Sequence, residues 1–338
     1  ACVTPLSTMA SPEALEKMLT DCGARAIFVA KQYLDLVQGF VTDLDIARFA
    51  IDFDDPAFDA FDAAVEAADD TDPNIPLDMS DAFNLIYSSG TTGTPKGILH
   101  NHSTYSDGKH SLEQMATYCK ELGYEYLGIC DHSKSAFYAN GLYESRVIDQ
   151  HEEIDRLNEK LAPFKILKGI ESDILYDGQL DYSDDVLASF DFIVASVHSV
   201  LKMNKQKATQ RLLTAIENPY TTILGHPTGR LLLRREGYPI DHKAVIDHCA
   251  KHNVVIEINA NPWRLDLDWR WANYALEQGV MLSINPDAHQ MSGYHHMKYG
   301  LLVGRKGGLT AEMTYNALSL AQITEHFNNK KQQATANA

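Results

Sequence analysis

Cysteine, long apolar runs and positive charge are all scarce in this 338-residue sequence. The cysteines form no CxxC pair and are widely spaced, which argues against a disulfide framework or a zinc ribbon. No apolar run approaches the ~18 residues that a membrane span requires, and the start carries no signal-peptide pattern. We therefore expect a cytoplasmic protein without a membrane segment. The five cysteines are Cys2, Cys22, Cys119, Cys130 and Cys249.

Acidic residues outnumber basic ones, 46 to 29, and the net charge is −17. The excess is uneven, because residues 1–98 hold 17 acidic and 5 basic residues whereas the remainder holds 29 and 24. Such a step indicates two parts of separate origin. Long-range attraction to nucleic acid is excluded, so a DNA substrate would need local basic groups or metal ions. The acidic excess is equally compatible with a role in solubility alone.

From residue 97 to residue 327, short apolar runs alternate with amphipathic stretches of helical period. Buried β-branched runs separated by helices are typical of βα units that form a parallel sheet. Seven such runs favour a closed or nearly closed α/β barrel, although an open doubly wound sheet has similar spacing. The runs cover residues 97–103, 126–132, 165–172, 191–198, 221–227, 254–260 and 281–289.

Residues 1–96 have a different pattern. A helix and then a strand are predicted over residues 11–30, followed by an acid-rich surface segment over 53–81 and a strand over 82–89. After residue 327 apolar residues are few, so we expect a disordered tail over 328–338. The predicted domains are therefore a partial α/β fragment at 1–96 and the barrel at 97–327.

Almost every predicted barrel strand ends in a side chain that can bind a metal ion. In a parallel barrel the carboxyl ends of the strands meet on one face, so these side chains would line a common cleft. A single histidine at a strand end is more often structural, but nine candidates at successive strand ends indicate one polynuclear metal site. They are His100, His102, Asp107, His132, Glu171, His198, His226, Asp287 and His289.

The spacing within this set supports metal binding. His100 and His102 lie two residues apart on a strand, so both rings leave on the same side and can bind one ion. Asp287 and His289 repeat the arrangement on the last strand. Six imidazoles with three carboxylates suit zinc, manganese or iron better than calcium or magnesium. The histidines expected to be structural, on helices or surface loops, are His151, His242, His248, His252, His295, His296 and His326.

Around these positions the sequence resembles the PHP (polymerase and histidinol phosphatase) family. The similar segments are LHNHSTYSDG, GICDHS, KGIESDI, ASVHS, LGHPTGR and INPDAH, and the resemblance covers roughly residues 97–327. It is strongest to the PHP domain at the C-terminus of bacterial family X DNA polymerases. The resemblance implies a distorted seven-stranded TIM-like barrel and three divalent ions (Zn²⁺, Mn²⁺ or Fe²⁺) held by the nine residues. It also implies 3′–5′ exonuclease and 3′-phosphatase activity on DNA ends.

Phosphoester hydrolysis suits such a site. Clustered dications lower the pKa of a bound water toward ~7 and neutralise charge on the attacked phosphate. No serine or cysteine nucleophile is then needed. We expect Glu171 to bridge the ions and assign catalytic roles to Glu171, His198 and Asp287. The candidates for holding the phosphate or DNA backbone, each of which is otherwise an ordinary surface charge, are Lys134, Lys202, Arg230 and Arg264.

The glycine-rich loop YSSGTTGTPKG at residues 87–97 is a second motif. Its N–H groups, hydroxyls and lysine suit a phosphate, although the Walker A pattern is absent. The loop and the segment VTPLSTMASPEALEKMLTDCGARAIFV resemble the N-terminal region of AMP-binding acyl-CoA synthetases, but the later nucleotide motifs and lid domain of that family do not follow. We therefore expect a vestigial nucleotide-phosphate loop, formed by Ser88, Ser89, Gly90, Thr91, Thr92, Gly93, Thr94 and Lys96.

Residues 96–100, KGILH, fit both patterns, because they end the ligase loop and begin the first barrel strand. We hypothesise that two unrelated genes were joined at this stretch. Three functions stay open: a phosphoesterase acting on DNA ends or on small phosphoesters, an adenylate-forming ligase fragment, and a non-catalytic PHP module. The complete ligand set favours the phosphoesterase. The sequence does not indicate an oligomeric state.

Overall fold

The computed structural model of the protein describes residues 3–6, 12–68 and 95–336. The chain divides into two compact units, residues 1–90 and 91–338. The predicted strand over residues 82–89 and the glycine-rich loop up to Thr94 lie outside the described residues, so they stay predictions. The domain boundary predicted between residues 96 and 97 also stays a prediction.

Unit 1 contains a small parallel sheet whose strands are in the order β1-β2-β3. The predicted helix and strand over residues 11–30 are confirmed as the first helix and first strand of this unit. Its core is formed by apolar side chains of the helices and of one sheet face. The strands are β1 (Ala26–Val29), β2 (Ala47–Ala50) and β3 (Asp59–Ala60), and the helices are α1 (Pro12–Asp21), α2 (Leu34–Val37) and α3 (Phe61–Glu66).

Unit 2 is a nearly closed barrel of seven parallel strands, which confirms the predicted α/β fold class. The strands follow chain order around the barrel, and every neighbouring pair is parallel. They are β4 (Gly97–Ile98), β5 (Tyr126–Ile129), β6 (Lys165–Asp173), β7 (Phe192–Ser196), β8 (Ile223–Leu224), β9 (Val255–Asn259) and β10 (Leu282–Asn285).

Four of the helices between the strands begin at side-chain caps that the sequence supplies. Ser111 and Gln114 form a reciprocal capping box at the first helix of the barrel, and Asn204, Asp241 and Asp268 accept backbone hydrogen bonds at later helix starts. The helices are α4 (Leu112–Glu121), α5 (Glu144–Leu161), α6 (Asp184–Leu187), α7 (Lys205–Glu217), α8 (His242–His252), α9 (Trp269–Glu277), α10 (Met297–Lys306) and α11 (Leu320–Ala336).

The prediction of a disordered tail over residues 328–338 is corrected by the structure, in which α11 continues as a helix over residues 328–336. Phe327 is buried and its ring stacks on Phe192 at a centroid distance of 5.1 Å. One turn later, the Lys330 ammonium donates hydrogen bonds to the carbonyl oxygens of His252 and Asn253, at 3.1 and 3.0 Å. These contacts dock a helix of polar composition, and a composition argument misses them.

The barrel is completed between β4 and β10 by an asparagine side chain. Asn316 lies in a 3₁₀ turn (Tyr315–Ala317). Its Nδ2 donates to the carbonyl oxygens of Gly97 and Ile284, at 3.0 and 2.6 Å, and its Oδ1 accepts from the Ile284 amide at 3.0 Å. Further along, a parallel bridge joins Asn101 to Ala288. The hydrogen bonds of the Asn316 side-chain amide therefore take the place of a backbone ladder between β4 and β10.

None of the helices in the described parts of the chain combines the length and the apolar character needed to cross a bilayer.

We expect Asn316→Ala to lower the free energy of unfolding of unit 2 by about 2–4 kcal/mol, because buried backbone groups on two strands lose their partner. Urea denaturation followed by circular dichroism measures the change. Asn273→Ala, which removes an exposed asparagine from α9, is the matched control and should change stability by less than about 0.5 kcal/mol. Equal stability of the two variants would contradict the closing role of Asn316.

Candidate metal centre

The predicted ligands converge on one end of the barrel, as expected from parallel strands. Glu171 lies within β6, seven others follow the carboxyl ends of their strands within four residues, and Asp107 lies in the longer loop after β4. Where β5 ends, an isolated parallel bridge pairs His132 with Glu171 and thereby sets their register. His100 and His102 lie beyond the end of β4 at Ile98, not on the strand as predicted, and their rings are 5.4 Å apart between centroids.

Eight of these nine side chains form three linked groups. Within each group the candidate ligand atoms all lie within 4.8 Å of one another. His102 belongs to two of the groups and His132 also belongs to two, so the three form one continuous cluster. The groups are His102, Asp107, His132 and His289; His100, His102 and Asp287; and His132, Glu171 and His198.

Glu171 is the centre of the cluster. Its Oε1 lies 3.2 Å from His100 Nε2 and 3.1 Å from His198 Nε2, and its Oε2 lies 3.0 Å from His132 Nδ1. The ninth predicted ligand, His226, is outside the three groups but places its Nε2 3.0 Å from the same Oε1. With His102 Nε2 3.6 Å from Oε2, a carboxylate that is only 1% exposed is surrounded by five imidazoles.

A second buried carboxylate, Glu257 of β9, orients two of these histidines. Its Oε1 lies 2.6 Å from His100 Nδ1, which leaves Nε2 of that ring facing the cluster. Its Oε2 accepts a 2.8 Å hydrogen bond from the backbone amide of His226. Carboxylates that hold the outer nitrogen of a ligating histidine are typical of metal sites, where they set the tautomer and the ring orientation.

Asp173 and Asp131 support the opposite side of the cluster. Asp173 Oδ1 is hydrogen-bonded to His198 Nδ1, so that Nε2 of this ring also faces Glu171. Asp131, next to His132, accepts hydrogen bonds from the hydroxyls of Ser103 and Ser106, at 2.7 and 2.5 Å. These contacts join the loop after β4 to the end of β5.

The electrostatics of the cluster indicate that each group attracts one positive charge. Burial disfavours the charged imidazole at His198, His289 and His100, but nearby carboxylates outweigh it at these three histidines, one in each group, and raise their pKa. Glu171 and Asp173 raise the pKa of His198 to about 10, and Asp107 and Asp287 raise the pKa of His289 to about 9. Glu257, Glu171 and Asp287 raise the pKa of His100 well above its usual value.

The shared ligand His102 behaves in the opposite way. Burial, reinforced by the neighbouring imidazoles of His289 and His132, lowers its pKa to about 3. Its ring is therefore neutral, which is the form that binds metal ions. The pKa of Glu171 and of Asp287 lies well below the usual carboxyl value, because surrounding imidazoles outweigh the burial penalty.

Two cluster residues adopt backbone conformations that residues with side chains rarely occupy. His226 has φ +22° and Asp287 has φ +49°. Such conformations cost about 1–3 kcal/mol each and persist where the surrounding structure enforces them. The hydrogen bonds from the His226 amide to Glu257 and from Asn259 Nδ2 to Asp287 Oδ2, at 2.8 and 3.1 Å, supply that constraint.

The donor atoms at the centre fit metal ions. Among the described residues, several buried ligand atoms of the cluster make no hydrogen bond of normal geometry, including His100 Nε2, His102 Nδ1, His132 Nδ1 and Glu171 Oε2. Buried polar atoms without partners are costly and infrequent. Imidazoles and carboxylates that face one another in this way suit zinc, manganese or iron.

Of the four predicted phosphate-binding cations, Arg264 is the one that contacts the cluster, with Nε 3.3 Å from Asp287 Oδ2. Lys134 instead pairs with Glu144 at 2.6 Å. Arg230 donates to backbone carbonyls of residues 264 and 265 and pairs with Asp268 at 2.7 Å. Lys202 is exposed. The contacts of Lys134 and Arg230 are structural, which their position near a strand end does not reveal.

The predicted phosphate loop is described only at its end. The backbone of Lys96 is hydrogen-bonded to residues of the barrel. Its amide donates to the Asn316 carbonyl at 2.7 Å, and its carbonyl accepts from the Glu125 amide at 2.6 Å. Ser88, Ser89, Gly90, Thr91, Thr92, Gly93 and Thr94 lie outside the described residues, and their phosphate-binding role stays a prediction.

The family comparisons match two segments of the chain. Residues 99–261 match the PHP domain, and residues 1–131 match the AMP-binding enzyme family. Both resemblances inferred from the sequence motifs are thereby confirmed. The two matches overlap over residues 99–131.

Similar proteins include polymerases and phosphatases. The chain is 46% identical over 244 residues to the DNA polymerase/3′-5′ exonuclease PolX of Bacillus subtilis, which covers 72% of this chain but only 42% of that relative. It is 29% identical over 185 residues to a probable phosphatase of Thermoanaerobacter sp., covering 52% of this chain and 73% of that protein.

A solved structure has the same fold. The histidinol phosphate phosphatase of Lactococcus lactis, solved with zinc, L-histidinol and phosphate, matches 65% of this chain and 98% of its own length. The TM-score is 0.50 at 15% identity, so the similarity supports the fold alone.

The barrel, the donor cluster and the family match together support a metal-dependent phosphoesterase. More particularly, residues 99–261 match the PHP domain, as the sequence motifs indicate.

We expect Glu257→Gln to weaken divalent metal binding by about 10–100-fold, the usual effect of removing a carboxylate that orients a ligating histidine. The variant keeps the shape of the side chain but loses the charge that holds His100. Zinc titration with a competing chelator measures the affinity. Glu277→Gln, on the surface of α9, should bind like the wild type, and equal affinity of both variants would show that Glu257 has no such role.

Proposed function

We propose that the PHP domain of this chain hydrolyses phosphoesters at DNA ends, as a 3′–5′ exonuclease and 3′-phosphatase. The proposed cofactors are three divalent ions, Zn²⁺, Mn²⁺ or Fe²⁺. The observation that carries the proposal is the set of three donor groups joined through His102 and His132. We assign as ligands all nine predicted residues, His100, His102, Asp107, His132, Glu171, His198, His226, Asp287 and His289.

The chemistry follows from what the cluster would hold. When bound, the ions supply a water acidic enough to lose its proton near neutral pH and neutralise charge on the attacked phosphate. Glu171, buried and within reach of five imidazoles, keeps the ligand set compact. Glu257 and Asp173 hold the outer nitrogens of His100 and His198, so that the inner nitrogens face the cluster.

Three residues have proposed roles toward the substrate. Asp287 and His198 have proposed places beside the reacting position: His198 Nε2 lies 3.1 Å from Glu171 Oε1, and Asp287 Oδ1 lies 3.7 Å from His100 Nε2. Arg264, whose side chain is 17% exposed, uses one guanidinium nitrogen on Asp287 and has others available for a phosphate oxygen. Arginine is suited to this task because its planar N–H groups match phosphate geometry.

The polymerase relative supports DNA ends as the substrate, because its name includes a 3′-5′ exonuclease activity and it is 46% identical over 244 residues. A second candidate is a small phosphoester. The similarity to a probable phosphatase supports it, and so does the net charge of −17, which gives no long-range attraction to DNA. The two candidates use the same cluster and differ in what is bound outside it.

Hydrolysis of three substrates by the full chain with Mn²⁺ tests the proposal. They are a 3′-recessed duplex, a 3′-phosphorylated duplex end and p-nitrophenyl phosphate. We expect activity on both DNA substrates, abolished by chelation and reduced at least about a thousandfold by Glu171→Gln. Activity on p-nitrophenyl phosphate alone would favour the small-phosphoester alternative. Absence of hydrolysis with a fully metal-loaded chain would refute both.

We expect Arg264→Ala to lower kcat/KM on DNA by about 10–100-fold, the effect of losing one hydrogen bond to a charged group. Arg270→Ala is the matched control, because Arg270 is exposed and pairs only with Asp268 among the ion pairs of the described residues. Steady-state kinetics at constant salt measures both variants. A similar loss in the two variants would mean that Arg264 acts through general charge.

A further inference from the structure

A separate group of potential metal ligands lies where α7 and α8 end beside each other. Glu217 is the last residue of α7, and His248 and His252 lie one turn apart near the end of α8. Their candidate ligand atoms are all within 4.8 Å of one another. The two imidazole rings are 4.6 Å apart between centroids, and His248 Nε2 lies 3.0 Å from Glu217 Oε1.

This group lies at the opposite end of the barrel from the PHP cluster. The cluster is built from residues at the carboxyl ends of the strands. His252, in contrast, precedes the first residue of β9, Val255, by three positions, and Glu217 precedes the start of β8 at Ile223. The group therefore belongs to the amino ends of the strands, where residues of this fold usually serve stability and do not contribute to catalysis.

Two features of the group point to a cation. Glu217 ends a helix, where the helix dipole disfavours negative charge, and the last turn of α7 contains no basic residue to offset it. His252 Nε2 is buried and has no hydrogen-bond partner among the described residues. A positive ion between the helix ends would neutralise the Glu217 carboxylate and give His252 Nε2 a partner.

We propose that Glu217, His248 and His252 bind one divalent transition-metal ion, of which Zn²⁺ is the best suited. Two imidazoles and one carboxylate are a known donor combination for zinc, with water completing the coordination. Histidines at positions i and i+4 of a helix face the same side, so both reach one ion. The ion would tie α7 to α8 and stabilise this end of the barrel. The sequence pattern assigned both histidines a structural role without a ligand.

The direct test is the number of zinc ions held by the purified full chain after equilibration with micromolar free Zn²⁺, counted by mass spectrometry. The double variant H248Q/H252Q should hold one ion fewer than the wild type. His242→Gln is the matched control, because His242 lies on the same helix but stacks on Trp271 away from the group. It should hold as many ions as the wild type.

Glu217→Gln guards against a folding defect, because Glu217 is exposed and its replacement leaves the core intact. It should weaken binding of this one ion at least about tenfold, since a ligand matters no less than the groups that orient ligands. Unchanged zinc content in the double variant, or unchanged affinity in Glu217→Gln, would overturn the proposal. Phosphoester hydrolysis should be unaltered in all three variants. The ion count does not depend on that activity, so it tests this proposal even if the proposed function is wrong.

Discussion

The constraint on which this structure depends is a carboxylate buried where water cannot reach it. Glu171 is 1% exposed, and an ionised group in such a place needs opposite charge and hydrogen-bond donors close by. The carboxyl ends of four strands supply them, because His100, His132, His198 and His226 follow β4, β5, β7 and β8. Glu257 and Asp173 are buried carboxylates that need such partners too. Glu257 is hydrogen-bonded to a ring nitrogen of His100, and Asp173 to a ring nitrogen of His198.

Such a centre requires a closed barrel. Asp287 and His289 follow the last strand, whereas His100 and His102 follow the first, and the group that joins them exists only if β4 and β10 are adjacent. A two-residue first strand cannot provide a full ladder, so Asn316 supplies the missing hydrogen bonds. Close packing at this strand also explains Gly97, since a Cβ there would lie 2.0 Å from the Tyr126 ring.

The sequence predicts the part of this architecture that depends on periodicity and local chemistry. Seven apolar runs, six of which end in predicted ligands, indicate the barrel and the cluster, because strand direction alone brings strand ends together. Glu257 escapes this reasoning: it lies inside an apolar run, and its role depends on which histidine the neighbouring strands place beside it. The structural contacts of Arg230 also escape it, because a position near a strand end does not reveal that the guanidinium holds the loop at residues 264 and 265.

The stretch common to both family patterns shows how tertiary context decides between them. Residues 99–131 match both families, yet every described contact there belongs to the barrel. Lys96 is bound through its backbone to Asn316 and Glu125, and Leu99 donates its amide to Asn285 Oδ1 at 3.1 Å. Local sequence therefore permits either continuation, and the hydrogen-bond partners from β5, β10 and the 3₁₀ turn at Asn316 select the barrel strand.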